Sequence, residues 1–584
     1  MKLKYFHIEN YRNLNKVELH LNDELNFLVG ENDMGKSNFL DLLSTLFTRR
    51  NFSEDDFLNK NEAIKIIFQI KLAECERGAF DDLFTPEPQS DEHELTINII
   101  AEQLTPEDDM EFTHKETQSL ISYTRFRALN FIKNSSTTIS KDEFDVHKNK
   151  GAGKFLNYLI KKFVENNESS NFIKKIKNHS SSKKLLKYTG DNINKIEFLK
   201  KFDISIDLEG NINDLLCRML EVKAKNRDIQ DSGQGIQYSF LIILFILEKI
   251  INIFNYKNNE DRICKEEDGK QSISLVLALD EPEVHQHPYM QRNLIKSIKS
   301  IIENKNESFL GLIKEHFDLD SINGQILIVT HSPNIILSNY KNIVRFYKTK
   351  DIVQVKSGAQ IELEESKEKH LLMHFDSFKE AFFSRGVILV EGKTEEGLIP
   401  YWAEKSGIDF DELGICLISV DGAGGIKPLL FLCNEFKIPY VAIMDKDVYE
   451  TDEECKKLDI ISTSKKEIEG DIIDKIEQMC KLDQLLSIHN AYYSNFNTAP
   501  IGNLQKIIDG YKYRVPLPNT QGNDLFYRNI NTHQPKIKKI MLLYWLWKNK
   551  SITLGRHLAT ELDIDCIPTC LNKAFKEIKN KVKQ

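Results

Sequence analysis

The segment Gly30-Glu31-Asn32-Asp33-Met34-Gly35-Lys36-Ser37 constrains this chain more than any other feature. It fits GxxxxGK[ST], with the apolar run Leu25-Asn26-Phe27-Leu28-Val29 before it and a helical pattern from Ser37 to Phe47 after it. A strand, a glycine loop and a helix in that order belong to a sheet flanked by helices, so an α/β fold is expected. The glycines Gly30 and Gly35 permit a tight loop, Asn32 included, whose backbone N–H groups converge on phosphate oxygens. Lys36 brings positive charge toward β- and γ-phosphates, and the Ser37 hydroxyl is suited to ligate Mg²⁺. The expected cofactor is ATP.

Distant segments complete such a site. Leu275 to Leu279 is an apolar strand ending in Asp280-Glu281, and a parallel strand delivers its C-terminal residues to the ligand edge of its sheet. Asp280 is placed to hold Mg²⁺ through water, and Glu281 to orient an attacking water. His331 ends another buried strand, Gln325 to Val329, within reach of a γ-phosphate; a lone histidine is more often structural. Asp231-Ser232-Gly233-Gln234-Gly235 precedes an apolar helix, and Ser232 and Gly233 suit a signature that caps ATP from a second subunit. Together these segments resemble the ABC-type ATPases of the SMC and recombination-repair group. Asn10-Tyr11-Arg12-Asn13-Leu14 is similar to the N-terminal motif of that group, which adds Arg12 to the expected nucleotide contacts. The resemblance implies ATP sandwiched between two heads, hence at least a homodimer. The signature is shorter than the usual LSGGQ.

The second half carries a different chemistry. Ile388 to Val390 leads into Glu391, a glycine turn and a helix start holding Glu395. Val441 to Met444 leads into Asp445-Lys446-Asp447, where strand alternation points Asp445 and Asp447 to one side. If the two strands are neighbours, the carboxylates converge and repel unless cations neutralise them. Oxygen-only ligands suit Mg²⁺ or Mn²⁺ rather than zinc. Paired ions of that kind activate water and stabilise the leaving oxygen of a phosphodiester.

This arrangement looks like a Toprim domain. An ABC-type ATPase followed by Toprim is the layout of the OLD (overcoming lysogenization defect) family of nucleases. The resemblance implies an acidic motif downstream, matched by Glu467-Ile468-Glu469-Gly470-Asp471, with Glu469 as a ligand of a second metal. Glu467 stands where the family often has Asp. A late basic motif is matched by Lys550 to Arg556, with Lys550 offsetting charge on the pentavalent phosphate.

The chain of 584 residues is expected to divide into an ATPase part over 1–106, a helical, self-associating insertion rich in Lys, Asn and Ser over 107–203, a second ATPase part over 204–370, and a Toprim domain with a helical extension over 371–584. Glu362 to His370 reads as the linker. A formal charge of −9 argues against indiscriminate phosphate binding but not against a local basic groove. The last 14 residues hold five lysines and read as a solvated helical end. The nine cysteines, scattered and without CxxC pairs, read as reduced thiols of a cytoplasmic protein. The longest apolar stretch, Phe240 to Leu247, is too short for a bilayer, which needs about 20 residues, and the first residues lack a signal-peptide pattern. No membrane partner is expected.

Three functions remain open at this point. One is an ATP-governed endonuclease acting on DNA as the effector of a bacterial anti-phage system. Related nucleases occur in Gabija, beside a helicase-like protein, and in retrons, beside a reverse transcriptase with its RNA-linked single-stranded DNA. A second is a topoisomerase or primase, for which Tyr492, Tyr493, Tyr511 and Tyr513 are candidate nucleophiles without an apparent DNA-gate domain. The third is an ATPase clamp or sensor whose Toprim domain cuts RNA or only docks a partner.

Overall fold

The structure, a computed structural model, describes residues 1–48, 51–83, 95–135, 152–166, 179–202, 204–208, 220–224, 227–229, 234–255, 262–266, 268–337, 339–363, 365–420, 422, 425–451, 456, 458–493, 498–514, 526–528, 530 and 533–583. It forms two units, Met1–Ile361 and Glu362–Gln584. The expected linker from Glu362 to His370 instead runs into a helix, Glu365–Phe378. The boundary between the units falls where that linker begins, and just beyond it Leu371, Phe375 and Phe378 recur at helical spacing and are buried.

The first unit joins an antiparallel sheet to a largely parallel one. The antiparallel sheet orders Val17–His20, Lys2–Glu9, Ile64–Lys71, Thr96–Gln103 and Glu111–His114. Its strand Ile64–Lys71 alternates buried and half-buried residues, as one-sided packing demands. The second sheet places Gln271–Asp280, Ser321–Val329, Leu25–Val29 and Ile343–Thr349 side by side in parallel. All five residues of Leu25–Val29 are buried, because a parallel strand covered on both faces has no polar side.

Three expectations need correction here. Among the described residues the span 107–203 is α-helical only from Ala152, with one short 3-10 helix, Tyr123–Ala128, before it. Before Ala152 the span supplies Glu111–His114 to the first sheet and Leu129–Ser135 to the second, paired in parallel with Gln271–Asp280. These strands are short, and their polar neighbours hid them. Cys75 and Cys264, 189 residues apart, form a disulfide, so the thiols are not all free. The short helix Glu74–Leu83 packs against the strand Cys264–Lys265 and brings the two together. Finally, the helix Gln234–Asn255 is long and apolar enough to cross a membrane by length and composition. Glu248 and Lys249 interrupt its apolar run without ending the helix, and Phe240, Ile242, Ile243, Leu244, Ile246 and Leu247 are fully buried in the unit's core.

The second unit is built on four parallel strands in the order Ile415–Ser419, Gly386–Val390, Tyr440–Met444 and Ile460–Ser462. The chain leaves Gly386–Val390 first to one side and then to the other. The strand order therefore reverses between Gly386–Val390 and Tyr440–Met444, and a crevice opens at their C-terminal ends. The C-terminal helix Thr569–Val582 packs beneath this sheet on Leu571, Phe575 and Ile578, while Lys581 pairs with Asp459. The helices Lys393–Lys405 and Ile552–Glu561 cross at two glycines. A Cβ on Gly555 would stand 2.2 Å from the Thr394 carbonyl oxygen, and one on Gly397 would stand 2.1 Å from that of Ile552. Gly555→Ala is expected to destabilise the second unit by about 1–3 kcal/mol through overpacking. Urea unfolding measures this, and an unchanged midpoint would contradict the close crossing.

Candidate functional site

In the first unit, strand register assembles the nucleotide elements. Asp280 pairs with Val329, and Val329 with Leu28, so Gly30, Asp280 and His331 emerge at one sheet edge. Gly30 has φ +134°, and a Cβ there would lie 2.2 Å from the Phe346 carbonyl oxygen, so the loop's first position admits only glycine. A cavity of about 860 Å³ opens at this edge, lined by Asn32, Gly35, Lys36, Ser37, Glu281 and His331 among others. That is a volume suited to a nucleotide-sized ligand.

The Lys36 ammonium donates to the carbonyls of Gly30, at 2.9 Å, and Glu31. Burial pushes it down to about 8, against the pull of Glu281 and Asp280. The Ser37 hydroxyl donates to Asp280 Oδ1 at 3.1 Å, and burial raises the Asp280 carboxyl. This pair of oxygens is suited to a Mg²⁺ ion carried in with phosphates. Glu281 has φ +51°, a strained value for a non-glycine residue. Its Oε1 lies 3.5 Å from His331 Nε2. Burial and the neighbouring Lys36 lower the His331 pKa.

Two expected contacts fall elsewhere. The Arg12 guanidinium is committed to Asp56 at 2.8 Å, Asp41 at 3.0 Å and Asn38 at 2.8 Å, while its neighbour Asn13 lines the cavity. Ser232 and Gly233 lie outside the described residues. Glu283 escaped sequence reasoning. Only 8% exposed, its Oε1 accepts from the Thr330 hydroxyl at 2.7 Å and the His331 N–H at 2.8 Å, which ties the histidine turn to the acidic strand end. Its signal was the third acid of Asp280-Glu281-Pro282-Glu283.

In the second unit, Glu391 follows Gly386–Val390 and Asp445 follows Tyr440–Met444, on either side of the reversal in strand order. The backbone N–H of Asp445 donates to Glu391 Oε1 at 2.9 Å, and that of Ile468 donates to Asp445 Oδ1 at 3.1 Å. The Thr394 hydroxyl donates to Glu469 Oε1 at 3.1 Å. Lys550 pairs with Glu469 at 3.0 Å and with Glu467 at 2.5 Å. Glu391, Asp445, Glu467, Glu469 and Lys550 thus form one connected cluster.

Burial, reinforced by Glu395, Glu391 and Glu469, pushes Asp445 up to about 9. Burial together with Glu469 raises Glu395, which is 5% exposed. Burial also raises Glu391 and Glu469. Burial opposes the Lys550 charge, but Glu469 and Glu467 outweigh it and hold the ammonium above its ordinary value. Asp447 departs from the sequence expectation. The chain enters the helix Lys446–Thr451, so strand alternation does not set its direction, and Asp447 is exposed, with its charge acting on Glu391.

The donor set is all oxygen, the buried carboxyls repel one another, and Glu469 Oε2 faces a cation already, the Lys550 ammonium at 3.0 Å. These properties fit a hard divalent cation. Among the described residues, no three histidine, cysteine, aspartate or glutamate side chains already close on one point. Mg²⁺ held by one or two carboxylates keeps waters and phosphate oxygens as its other ligands.

Comparison with known proteins adds the family. Residues 1–202 and 80–336 match the AAA ATPase domain. Residues 382–447 match the TOPRIM domain of overcoming lysogenization defect protein-like proteins. Endonuclease GajA of Bacillus cereus (strain HuB5-5) is 25% identical over 438 residues, covering 70% of this chain and 60% of its own length. The Old nuclease of Escherichia phage P2 is 21% identical over 487 residues, covering 75% of this chain and 76% of its own. The solved C-terminal region of the Xanthomonas campestris pv. campestris OLD protein is 20% identical, with a TM-score of 0.23, and covers 35% of this chain and 96% of its own. The AAA ATPase domain matches more than half of the chain, which therefore belongs to that ATPase family and carries behind it a TOPRIM domain like that of the OLD proteins.

Proposed function

We propose that this protein is an ATP-governed, divalent-metal-dependent endonuclease that hydrolyses DNA phosphodiesters. The observation that carries this reading is the hydrogen-bonded carboxylate cluster with Lys550 at the crevice of the second sheet. A nucleotide cleft in the same chain supports the ATP dependence. Glu391, Asp445 and Asp447 would hold one Mg²⁺ or Mn²⁺, and Glu469 with Glu395 a second. Bound ions of this kind supply an activated water and charge stabilisation for a phosphodiester leaving oxygen. Lys550 is placed to neutralise the extra negative charge of the pentavalent phosphate. In the head, Lys36 would bind the β- and γ-phosphates, Ser37 and Asp280 the nucleotide's Mg²⁺, and Glu281 with His331 would orient the attacking water and sense the γ-phosphate.

The kinship with Endonuclease GajA and the Old nuclease supports a place in bacterial anti-phage defence. On this reading the protein is a cytoplasmic effector that dimerises through its heads. Its partner is a helicase-like protein in a Gabija arrangement, or a reverse transcriptase with its RNA-linked DNA in a retron.

Two experiments test the assignment. Asp445→Ala is expected to reduce DNA cleavage on the order of 10²–10³-fold with ATP affinity unchanged. Lys36→Ala is expected to weaken ATP binding about 10- to 100-fold. Cleavage that survives Asp445→Ala, measured on plasmid with Mg²⁺ or Mn²⁺, sinks the nuclease reading. Metal binding carries its own pH signature. Asp445 keeps its proton up to about pH 9 without metal, and a cation must displace it. An acid with a raised pKa is protonated below that value, so Mn²⁺ affinity tightens as pH climbs from about 6 toward 9, by up to about tenfold per unit. Calorimetry in buffers of different ionisation enthalpy reads the released proton, and a pH-independent affinity would remove Asp445 from the ligand set.

A further inference from the structure

Tyr511 ends the helix Ile501–Tyr511 and lays its ring across the first turn of the helix Ile468–Gln478. The contact point is Gly470, beside Glu469. A Cβ there would stand 2.3 Å from Tyr511 Cε1 and 3.0 Å from Cδ1, so the glycine leaves the space the ring fills. The ring also stacks on Tyr513, with centroids 5.8 Å apart and planes 5° from parallel. Tyr513 is itself pinned, since its hydroxyl donates to Asp474 Oδ1 at 2.8 Å and the Lys539 ammonium lies 4.5 Å over its ring. The Tyr511 ring is therefore fixed in position and direction.

Its hydroxyl is buried and has no hydrogen-bond partner among the described residues. A buried phenol left unpaired is costly and calls for an explanation. The Cε1 edge of the ring meets Gly470, next to Glu469 and three residues from Glu467, which sets the hydroxyl beside the turn that carries both carboxylates, and their charges act on it together with that of Asp445. Burial and those carboxylates raise its pKa, so it stays a neutral donor. None of the three carboxylates accepts from it. They are engaged by Lys550, Thr394 and the Ile468 N–H.

We propose that Tyr511 is a further catalytic residue of this site, its hydroxyl donating to a non-bridging oxygen of the nucleic-acid phosphodiester bound at the carboxylate cluster. The assignment rests on the nuclease reading above. A preplaced donor costs no reorganisation when charge builds on the phosphate, and it gains strength in a site from which water is excluded. Tyr513, Asp474 and Lys539 are its supports.

Tyr511→Phe tests it in the full-length protein, because the ring, its stack and its seat on Gly470 are kept. The expected result is a kcat for DNA cleavage lowered about 10- to 100-fold, with KM for DNA and Mn²⁺ affinity by calorimetry unchanged and Tm level or raised, since an unpaired buried hydroxyl is removed. A variant that cuts at the wild-type rate overturns the proposal. So does a variant whose Mn²⁺ affinity falls in step with its rate, since Tyr511 would then only support the metal ligands. A DNA adduct on Tyr511 that survives SDS also overturns it, by making the phenol a nucleophile. Wild-type protein that cuts no DNA with either metal sinks the nuclease reading itself, whereas cutting by both proteins at equal rates sinks only the role of Tyr511.

Discussion

Repulsion among acids buried at the ends of two adjacent parallel strands governs the second unit. Glu391, Asp445, Glu395 and Glu469 occupy one crevice, and burial alone would protonate several of them. The fold answers with donors that cost little to place. The N–H groups of Asp445 and Ile468 point at carboxylate oxygens because the chain turns at each strand end. Lys550 adds charge, and its position depends on packing. It sits between the helices Pro535–Lys548 and Ile552–Glu561, and the second of these comes close only because Gly397 and Gly555 lack side chains. A backbone contact with no chemistry of its own thus sets where the cation stands.

The nucleotide cleft has the opposite deficit. Lys36 is buried with its ammonium turned onto the carbonyls of its own loop, a substitute for the phosphate oxygens that the loop's shape favours. On the proposed reading an anion would complete that site, whereas cations would complete the other. Both lie where parallel strands deliver their last residues, which is why one rule of sheet topology serves both units. The strain at Glu281 and the grip of Glu283 on the Thr330–His331 turn show where the head spends stability to hold its geometry.

What could be read in advance follows from how local each signal is. The loop from Gly30 to Ser37, the acids after Leu279 and after Met444, and the three buried strands carrying them are contiguous patterns, and each was legible. Signals spread over the chain were not. Glu283 and Tyr511 earn their places through contacts with residues 47 positions away at Thr330 and beside Gly470, respectively. Leu129–Ser135 looked like part of a polar insertion because its pairing with Gln271–Asp280 is visible only in three dimensions. The Cys75–Cys264 bond is hidden for the same reason. Asp447 shows the limit of periodicity: a strand rule was extended past Met444, where the strand ends, into the helix that begins at Lys446.

An open cluster has a consequence for how such a site is governed. A closed cage of three or more side chains would bind its ion without help, and the ion would be a fixed part of the protein. Here no such cage exists among the described residues, and the buried acids prefer to hold protons. On the proposed reading, a cation here gains full coordination when phosphate oxygens arrive with it, so ion and nucleic acid would bind with mutual reinforcement. Small displacements of Lys550 or of the turn carrying Glu467 and Glu469 change that balance, because the ammonium and the cation compete for the same carboxylates. In an ATP-governed nuclease this competition is where control is cheapest to apply: shifting one lysine toward or away from two glutamates alters metal affinity without rebuilding the sheet.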